Sequence, residues 1–434
     1  MKNLAIAMLI FLTCAISGCA QDKQSVSAKE FVSQLAKGDF TAATGNFDPQ
    51  MKAAASPDRL KEIWDSLVAQ YGPFKNQVRM RKDKLGAYDV VYVTCQFERY
   101  KTDLKVVFDS EGRISGLWIV PTPNDDAFKT PAYVKPGRFR EQDVIVRSAE
   151  WKLPGILAMP GGKGPFPAVV LVHGSGPNDR DETIGSNKPF KDIAQGLASS
   201  GIAALRYDKR TKAHPADMAK IKDLTVKEEV IDDALAAVSL LRKTNGIDAG
   251  RIYVLGHSLG GMLIPRIGAR DPKIAGLISL AGCTRPLEDV IVEQMTYLLS
   301  LDKNTLESKK NAKLDEVKRQ AAQVKSAGAS SGMIFGVPPS YWIDLRGYDP
   351  PHSAKMLAAP MFILQGGRDY QVTTVDFSRW KSALSSKKNT TFKLYPDLNH
   401  LFMKGSGKST PQEYEVPGHV SEEVIDDIAA WVKR

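Results

Sequence analysis

The sequence predicts an α/β fold, a mostly parallel sheet flanked by helices with a helical insertion, preceded by a small α+β domain. Three observations carry that expectation. From about residue 138, short apolar runs alternate with helical stretches, the pattern of a parallel sheet covered on both faces. Between Arg285 and Asp349 the alternation stops and the text is helical instead. A proline-rich stretch over residues 121–137 reads as a linker and separates all of this from residues 25–120, where helical spacing gives way to a period of two. The chain has 434 residues, too many for one ordinary domain. Its 43% hydrophobic and 25% charged residues exclude a disordered or fibrous chain.

The N-terminal residues read as an address. Lys2 precedes an apolar run from Leu4 to Ile16, shorter than the ~20 residues that span a bilayer. Ile16-Ser17-Gly18-Cys19 follows: a branched residue, two small ones and a cysteine. It resembles the lipobox of bacterial lipoproteins, which implies a signal peptide over residues 1–19, lipidation of Cys19 and a membrane anchor. Ala20 stands where many inner-membrane lipoproteins carry aspartate, so the resemblance points to the outer membrane of a bacterial cell envelope, facing the periplasm. The other cysteines, Cys14, Cys95 and Cys283, form no C-x-x-C pair, so neither a zinc ribbon nor a disulfide scaffold is expected.

Within residues 25–120, Phe31, Leu35, Phe40, Ala43 and Phe47 mark a broken amphipathic stretch. Leu60, Ile63, Trp64, Leu67 and Tyr71 recur at helical spacing. Val91, Val93, Cys95 and Phe97, then Leu104, Val106 and Phe108, alternate as strands, and Asp109 to Gly112 turns the chain into a strand from Ile114 to Val120. Helices ahead of a curved antiparallel sheet resemble the small cone-shaped nuclear-transport-factor-like domains. This stretch has no histidine, and packing, dimerisation or partner binding is expected of it rather than chemistry.

Beyond the linker, Val144–Val146 and Gly155–Met159 read as an antiparallel strand pair. Strands are expected at Ala168–Val172, Ala203–Leu205, Ile252–Leu255, Leu277–Ala281, Met361–Leu364 and Phe392–Tyr395. Helices are expected near Phe190–Ser199, continuously from Val226 to Arg242, and from about Ser421 to Val432. In the insertion, Leu314, Val317, Ala321 and Val324 form an apolar stripe, with Lys309, Lys310, Lys313, Lys318 and Arg319 mostly off it. An insertion of 285–349 at this point is expected to form a cap over the active site.

Gly256-His257-Ser258-Leu259-Gly260 fits G-x-S-x-G between a strand and a helix, the strained turn that lifts a serine hydroxyl clear of a sheet. Here the chain resembles the α/β-hydrolase family, over roughly residues 138–434. The resemblance implies a serine nucleophile, then an acid, then a histidine in chain order. Gly366-Gly367-Arg368-Asp369-Tyr370-Gln371-Val372 resembles the family's acid loop and points to Asp369. Asn399-His400-Leu401-Phe402, after the last strand, points to His400 as general base, with His419 the only rival in chain order. His173-Gly174-Ser175-Gly176 resembles the family's oxyanion loop. The implied donors are the backbone N–H groups of Ser175 and Leu259, and the charged Asn178 to Asp181 extends the loop as a staple.

The implied activity is ester hydrolysis through an acyl-enzyme, with no cofactor and no metal. A serine peptidase on the same triad, acting on short peptides, and an inert envelope-binding protein remain as alternatives. The aliphatic Leu259 favours an esterase over prolyl-oligopeptidase-like enzymes, which carry an aromatic residue there. Gly405 to Ser409 ends like a phosphate-binding loop, but glycine is missing at Phe402, so a surface loop is expected. No aromatic–basic stripe suggests nucleic acid, and the net charge of +10 reads as a solvated surface. Cys19→Ser should abolish incorporation of a palmitate analogue and block signal-peptide removal. Undiminished labelling of the variant would contradict it.

Overall fold

The computed structural model describes residues 23–85, 88–98, 100–122, 128–303, 305–326 and 332–434. The lipobox and Cys19 lie outside them, as does part of the 121–137 stretch. The chain divides into two compact units, one ending at residue 123 and the other beginning at residue 124.

In the first unit, helices Lys23–Lys37 and Pro57–Tyr71, with two short helical turns between them, precede an antiparallel meander. Its strands are β1 (Phe74–Leu85), β2 (Tyr88–Phe97), β3 (Lys101–Phe108) and β4 (Ile114–Pro121), paired in chain order. Phe31, Leu35, Phe47, Leu60 and Trp64 from the helical segment close over Val91, Val93, Phe97, Leu104, Val106 and Phe108. Strand β1 is not foretold by apolar alternation, because its outward positions are charged. Arg81, Tyr92, Lys105 and Trp118 are directly cross-strand neighbours over all four strands. The Arg81 guanidinium lies 3.7 Å from the Tyr92 ring centroid, and Lys105 lies 5.3 Å from that of Trp118. Cation–aromatic contacts thus hold a face that hydrophobic periodicity does not mark.

The second unit is an eight-stranded sheet: β5 (Phe139–Ser148), β6 (Trp151–Pro160), β7 (Phe166–Val172), β8 (Ala203–Tyr207), β9 (Ile247–His257), β10 (Gly276–Leu280), β11 (Met361–Gly366) and β12 (Thr390–Tyr395). The spatial order is β12-β11-β10-β9-β7-β8-β6-β5. Strands β7 to β12 run parallel, and β5 and β6 form the antiparallel edge. The chain winds from β7 outward to β8 and then back to β9 on its other side. The loops leaving β7 and β9 therefore part, and such a switch point opens a crevice at the carboxyl ends of the strands. Helices Pro189–Ser199, Asp232–Arg242, Leu259–Arg270, Thr374–Leu384 and Glu422–Val432 complete the unit.

Two expectations need amendment. The helix anticipated from Val226 to Arg242 is interrupted: a π-turn spans Lys227–Ile231 and the α-helix starts at Asp232. The helix Thr374–Leu384 was not anticipated. It is held by Asp376 and Trp380, both buried, rather than by a long apolar stripe.

The insertion contains helices Leu287–Leu301, Glu307–Lys325 and Pro339–Leu345. Val317, Ala321 and Val324 of the anticipated stripe are buried, while Lys309, Lys313, Lys318 and Arg319 are exposed. Arg285, where the chain leaves the sheet, bridges the buried Asp376 carboxylate and Glu293. Arg266 of the helix Leu259–Arg270 holds Asp344 at 2.8 Å, and the Tyr348 hydroxyl donates to the Met262 carbonyl at 2.9 Å. Both ends of the insertion are thus fastened to elements that follow the central strands.

Candidate active site

Every residue singled out in the second unit lies at or beyond the carboxyl end of a parallel strand. Ser258 follows β9 directly and has φ +53°, ψ −114°, a backbone conformation that L-residues seldom occupy. Its N–H donates to the Leu280 carbonyl at 2.9 Å, and its carbonyl accepts from Met262 N–H at 2.9 Å. The flanking glycines are demanded by contact. A Cβ on Gly256 would lie 2.3 Å from the Gly260 backbone, and one on Gly260 would lie 2.3 Å from the Val172 carbonyl oxygen. The turn therefore presses directly against the end of β7. Ser258 keeps partial exposure while His257 and Leu259 on either side are buried. Leu259 opens a helix, so its N–H is one of the first-turn donors that no helical carbonyl can satisfy.

Asp369 and His400 come together beside this turn. Asp369 Oδ1 accepts from the N–H groups of Gln371 and Val372 at 2.8 and 2.9 Å. Its Oδ2 accepts from Gln365 Nε2 at 3.1 Å and faces His400 Nδ1 at 2.7 Å. A carboxylate can only accept, so the Nδ1 position carries the proton and Nε2 is left as the free base. His400 is itself held by its loop. Asn399 Oδ1 accepts from Leu401 and Met403 N–H at 3.0 and 3.2 Å, and Asn399 Nδ2 donates to Glu413 at 3.1 Å. Glu413 in turn pairs with Arg368, next to Asp369, so one ion pair ties the two loops. Leaving such buried polar groups unpaired would cost about 1–3 kcal/mol each.

The loop after β7 lies against the serine. A Cβ on Gly174 would come within 3.1 Å of the Ser258 Cβ. Glu182 is buried and accepts from Gly174 N–H at 2.7 Å through Oε1. Its Oε2 approaches His257 Nδ1 at 2.9 Å, an ion-pair contact not aligned as a hydrogen bond. His257 Nε2 meets the His400 carbonyl at 3.0 Å, so it donates there. One buried carboxylate and one imidazole thus link the loops of Ser175, Ser258 and His400. Burial opposes charge on both groups, yet their mutual attraction raises His257 above its ordinary value and holds Glu182 below its own. Sequence reasoning missed Glu182, Gln365 and Asn399, and only the position of His257 inside the motif gave a signal.

The remaining histidines stand apart. His419 Nδ1 faces the buried Asp192 at 3.2 Å rather than Asp369. His173 is buried among Phe190 and Tyr207, and burial pushes it down to about 4. His214 contacts the Lys152 carbonyl, and His352 is exposed. Burial pushes the thiols of Cys95 and Cys283 up to about 12, which leaves neither a ready nucleophile. Among the described residues, no group of three or more His, Cys, Asp or Glu side chains is placed to hold a metal ion.

The Glu182–His257 contact has a pH signature. A raised histidine stabilises fully below its unfolded value, near 6.5, and loses that contribution as pH climbs through the raised folded value. A lowered glutamate stabilises fully above 4.5 and loses it as pH falls through the depressed folded value. The melting-temperature gap between wild type and Glu182→Gln should be widest between about pH 4.5 and 6.5, and should narrow on both sides. A gap independent of pH would contradict the pairing.

Comparison with known proteins places the chain in a family. Residues 164–432 match a family described as serine aminopeptidase, S33, and residues 28–117 match a family described as a protein of unknown function (DUF3887). The chain is 42% identical over 433 residues to Esterase EstD of Thermotoga maritima, covering 100% of both chains. An esterase of Pyrococcus furiosus is similar in structure over 68% of this chain and 91% of its own, at 17% identity and a TM-score of 0.46. The acylaminoacyl peptidase of Pyrococcus horikoshii covers 83% of this chain and 56% of its own, at 16% identity and a TM-score of 0.48. From the family match over more than half its length and the full-length relative, this chain belongs to the α/β-hydrolase family of the serine aminopeptidase, S33 type.

Proposed function

We propose that this protein is a carboxylesterase that cleaves its substrate through an acyl-enzyme on Ser258. The observation that carries the reading is the Asp369–His400 pair, 2.7 Å apart and buried, beside a serine held at φ +53°. Ser258 Oγ attacks the ester carbonyl while His400 Nε2 takes its proton, and Asp369 stabilises the resulting imidazolium. The carbonyl oxygen becomes an oxyanion, held by the Leu259 and Ser175 N–H groups. Collapse of the intermediate breaks the ester C–O bond, His400 returns the proton to the leaving alcohol, and the acyl group stays on Ser258. Water deprotonated by His400 then repeats the sequence and releases the acid. The full-length likeness to a protein named an esterase favours small-molecule esters as the substrates.

The description of the hydrolase unit's family as serine aminopeptidase gives a second reading, short peptides on the same groups. Rates on p-nitrophenyl esters and aminoacyl-nitroanilides separate the two. We further propose an envelope location through lipidated Cys19, supported by the Ile16–Cys19 pattern.

Ser258→Ala and His400→Ala should each remove nearly all turnover, and the double variant should be little worse, because members of a triad act as a unit. Asp369→Asn should lower kcat by roughly 10⁴-fold by imposing the wrong tautomer on His400. His419→Ala should keep most activity. A dead His419→Ala beside an active His400→Ala would overturn the assignment of the base.

A further inference from the structure

Lys209 is 2% exposed, in the segment following β8, and its ammonium donates to the Gly174 carbonyl at 2.9 Å. That carbonyl belongs to the same peptide as the Ser175 N–H. In a planar trans peptide the two groups point in opposite directions, so whatever fixes the carbonyl fixes the N–H. A positive donor on the oxygen also polarises the amide and strengthens the opposite N–H as a donor. The same peptide oxygen receives Asn178 Nδ2 at 3.2 Å, and Lys209 N–H donates to the Asn178 carbonyl at 3.1 Å.

A charge this deeply buried needs a partner. Lys209 has one in Glu229, whose Oε1 lies 2.7 Å from Nζ. Glu229 is carried inward by the π-turn Lys227–Ile231, the irregularity that breaks the anticipated helix. Single π-turns in helices are frequent at functional sites. The other Glu229 oxygen, Oε2, accepts from the Tyr341 hydroxyl at 2.6 Å. Tyr341 lies on the insertion helix Pro339–Leu345 and is buried, which with the nearby Glu229 keeps its hydroxyl protonated and donating. Ser340 Oγ adds a bond to the Leu224 carbonyl at 2.9 Å. A buried ion pair is a weak source of net stability compared with apolar packing.

We propose that Lys209 is a positioning residue of the oxyanion hole, and that the insertion sets the same peptide through Tyr341, Glu229 and Lys209. The inference rests on the reading of Ser258 as nucleophile and Ser175 N–H as oxyanion donor. Seating of the insertion is then felt at the developing negative charge and not only at the substrate entrance. Because the donor itself remains, the loss on breaking the relay is smaller than the 10²–10³-fold that follows outright removal of an oxyanion donor.

The test compares Lys209→Met, Tyr341→Phe and the double variant with wild type. Active sites are counted by complete labelling with a fluorophosphonate, so that kcat is expressed per folded site. Lys209→Met should lower kcat about tenfold and Tyr341→Phe about fivefold, within the range of such couplings, with KM for a short p-nitrophenyl ester little changed. Affinity for an alkylboronic acid, which forms a tetrahedral adduct on the serine, should fall by the same factors. In the Lys209→Met background, Tyr341→Phe should add nothing, since the relay is already cut. Unchanged kcat per site overturns the proposal. So does a loss carried by KM alone or by fewer sites at full specific activity, which would mark a merely structural role. If Lys209→Met gives no labelled sites, Tyr341→Phe decides alone, since it removes a single hydroxyl. Ser258→Ala separates the two levels: turnover surviving there refutes the reading of the site, whereas a dead Ser258→Ala beside an unaffected Tyr341→Phe refutes the relay only.

Discussion

The left-handed turn at Ser258 is the constraint on which the rest of the site depends. A serine at φ +53° is strained, and such a conformation persists only where its surroundings over-determine it. They do so from three sides. Gly256 and Gly260 bring the turn against the β7 carbonyl oxygen of Val172, the Ser258 N–H is fixed on Leu280 at the end of β10, and the Gly174 loop lies against its side chain. Two of these contacts come from β7 and the loop that follows it, and the third comes from β10. The sheet order, with β7 between β8 and β9, is therefore not background to the site but the means of holding its geometry.

Around that turn, the loops are joined by buried polar groups rather than by packing alone. Asp369 has both oxygens occupied, Glu182 reaches from the Gly174 N–H to His257, and His257 closes on the His400 carbonyl. The insertion joins the same assembly at separate points. Gln294 donates to the Gln371 carbonyl beside Asp369 at 2.8 Å, and Tyr297 stacks on Tyr370 at 5.1 Å. Arg266 and Tyr348 fasten it to the helix that Leu259 opens. An element tied to the Asp369 loop and to the helix that follows Ser258 cannot shift without disturbing the groups gathered around Ser258.

What the sequence made legible follows from which interactions leave a periodic or short-range mark. The parallel strands are continuous apolar runs, and the serine turn is written in adjacent glycines, so both could be read directly. Asp369 and His400 are legible through the resemblance of Gly366–Val372 and Asn399–Phe402 to the acid and base segments of the α/β-hydrolase family. Glu182, Lys209 and Glu229 could not, since a charge that will be buried beside a distant partner looks like any surface charge in a loop. The π-turn at Lys227–Ile231 was hidden for a related reason: the apolar spacing around it is compatible with a continuous helix, and its Glu229 side chain pairs with residues distant in sequence. Strand β1 escaped because Arg81 and its neighbours meet aromatic rings across the strands, contacts that leave no apolar alternation in the sequence.

On the proposed mechanism, Ser258 carries the acyl group during turnover. Rapid mixing with a p-nitrophenyl ester, followed by acid quench and intact-mass measurement, tests it most directly. The expected result is a burst of nitrophenol matched by a mass gain of one acyl group, mapped by digestion to the peptide containing Ser258. Turnover with no acyl adduct at any time, or an adduct on a different residue, would contradict it.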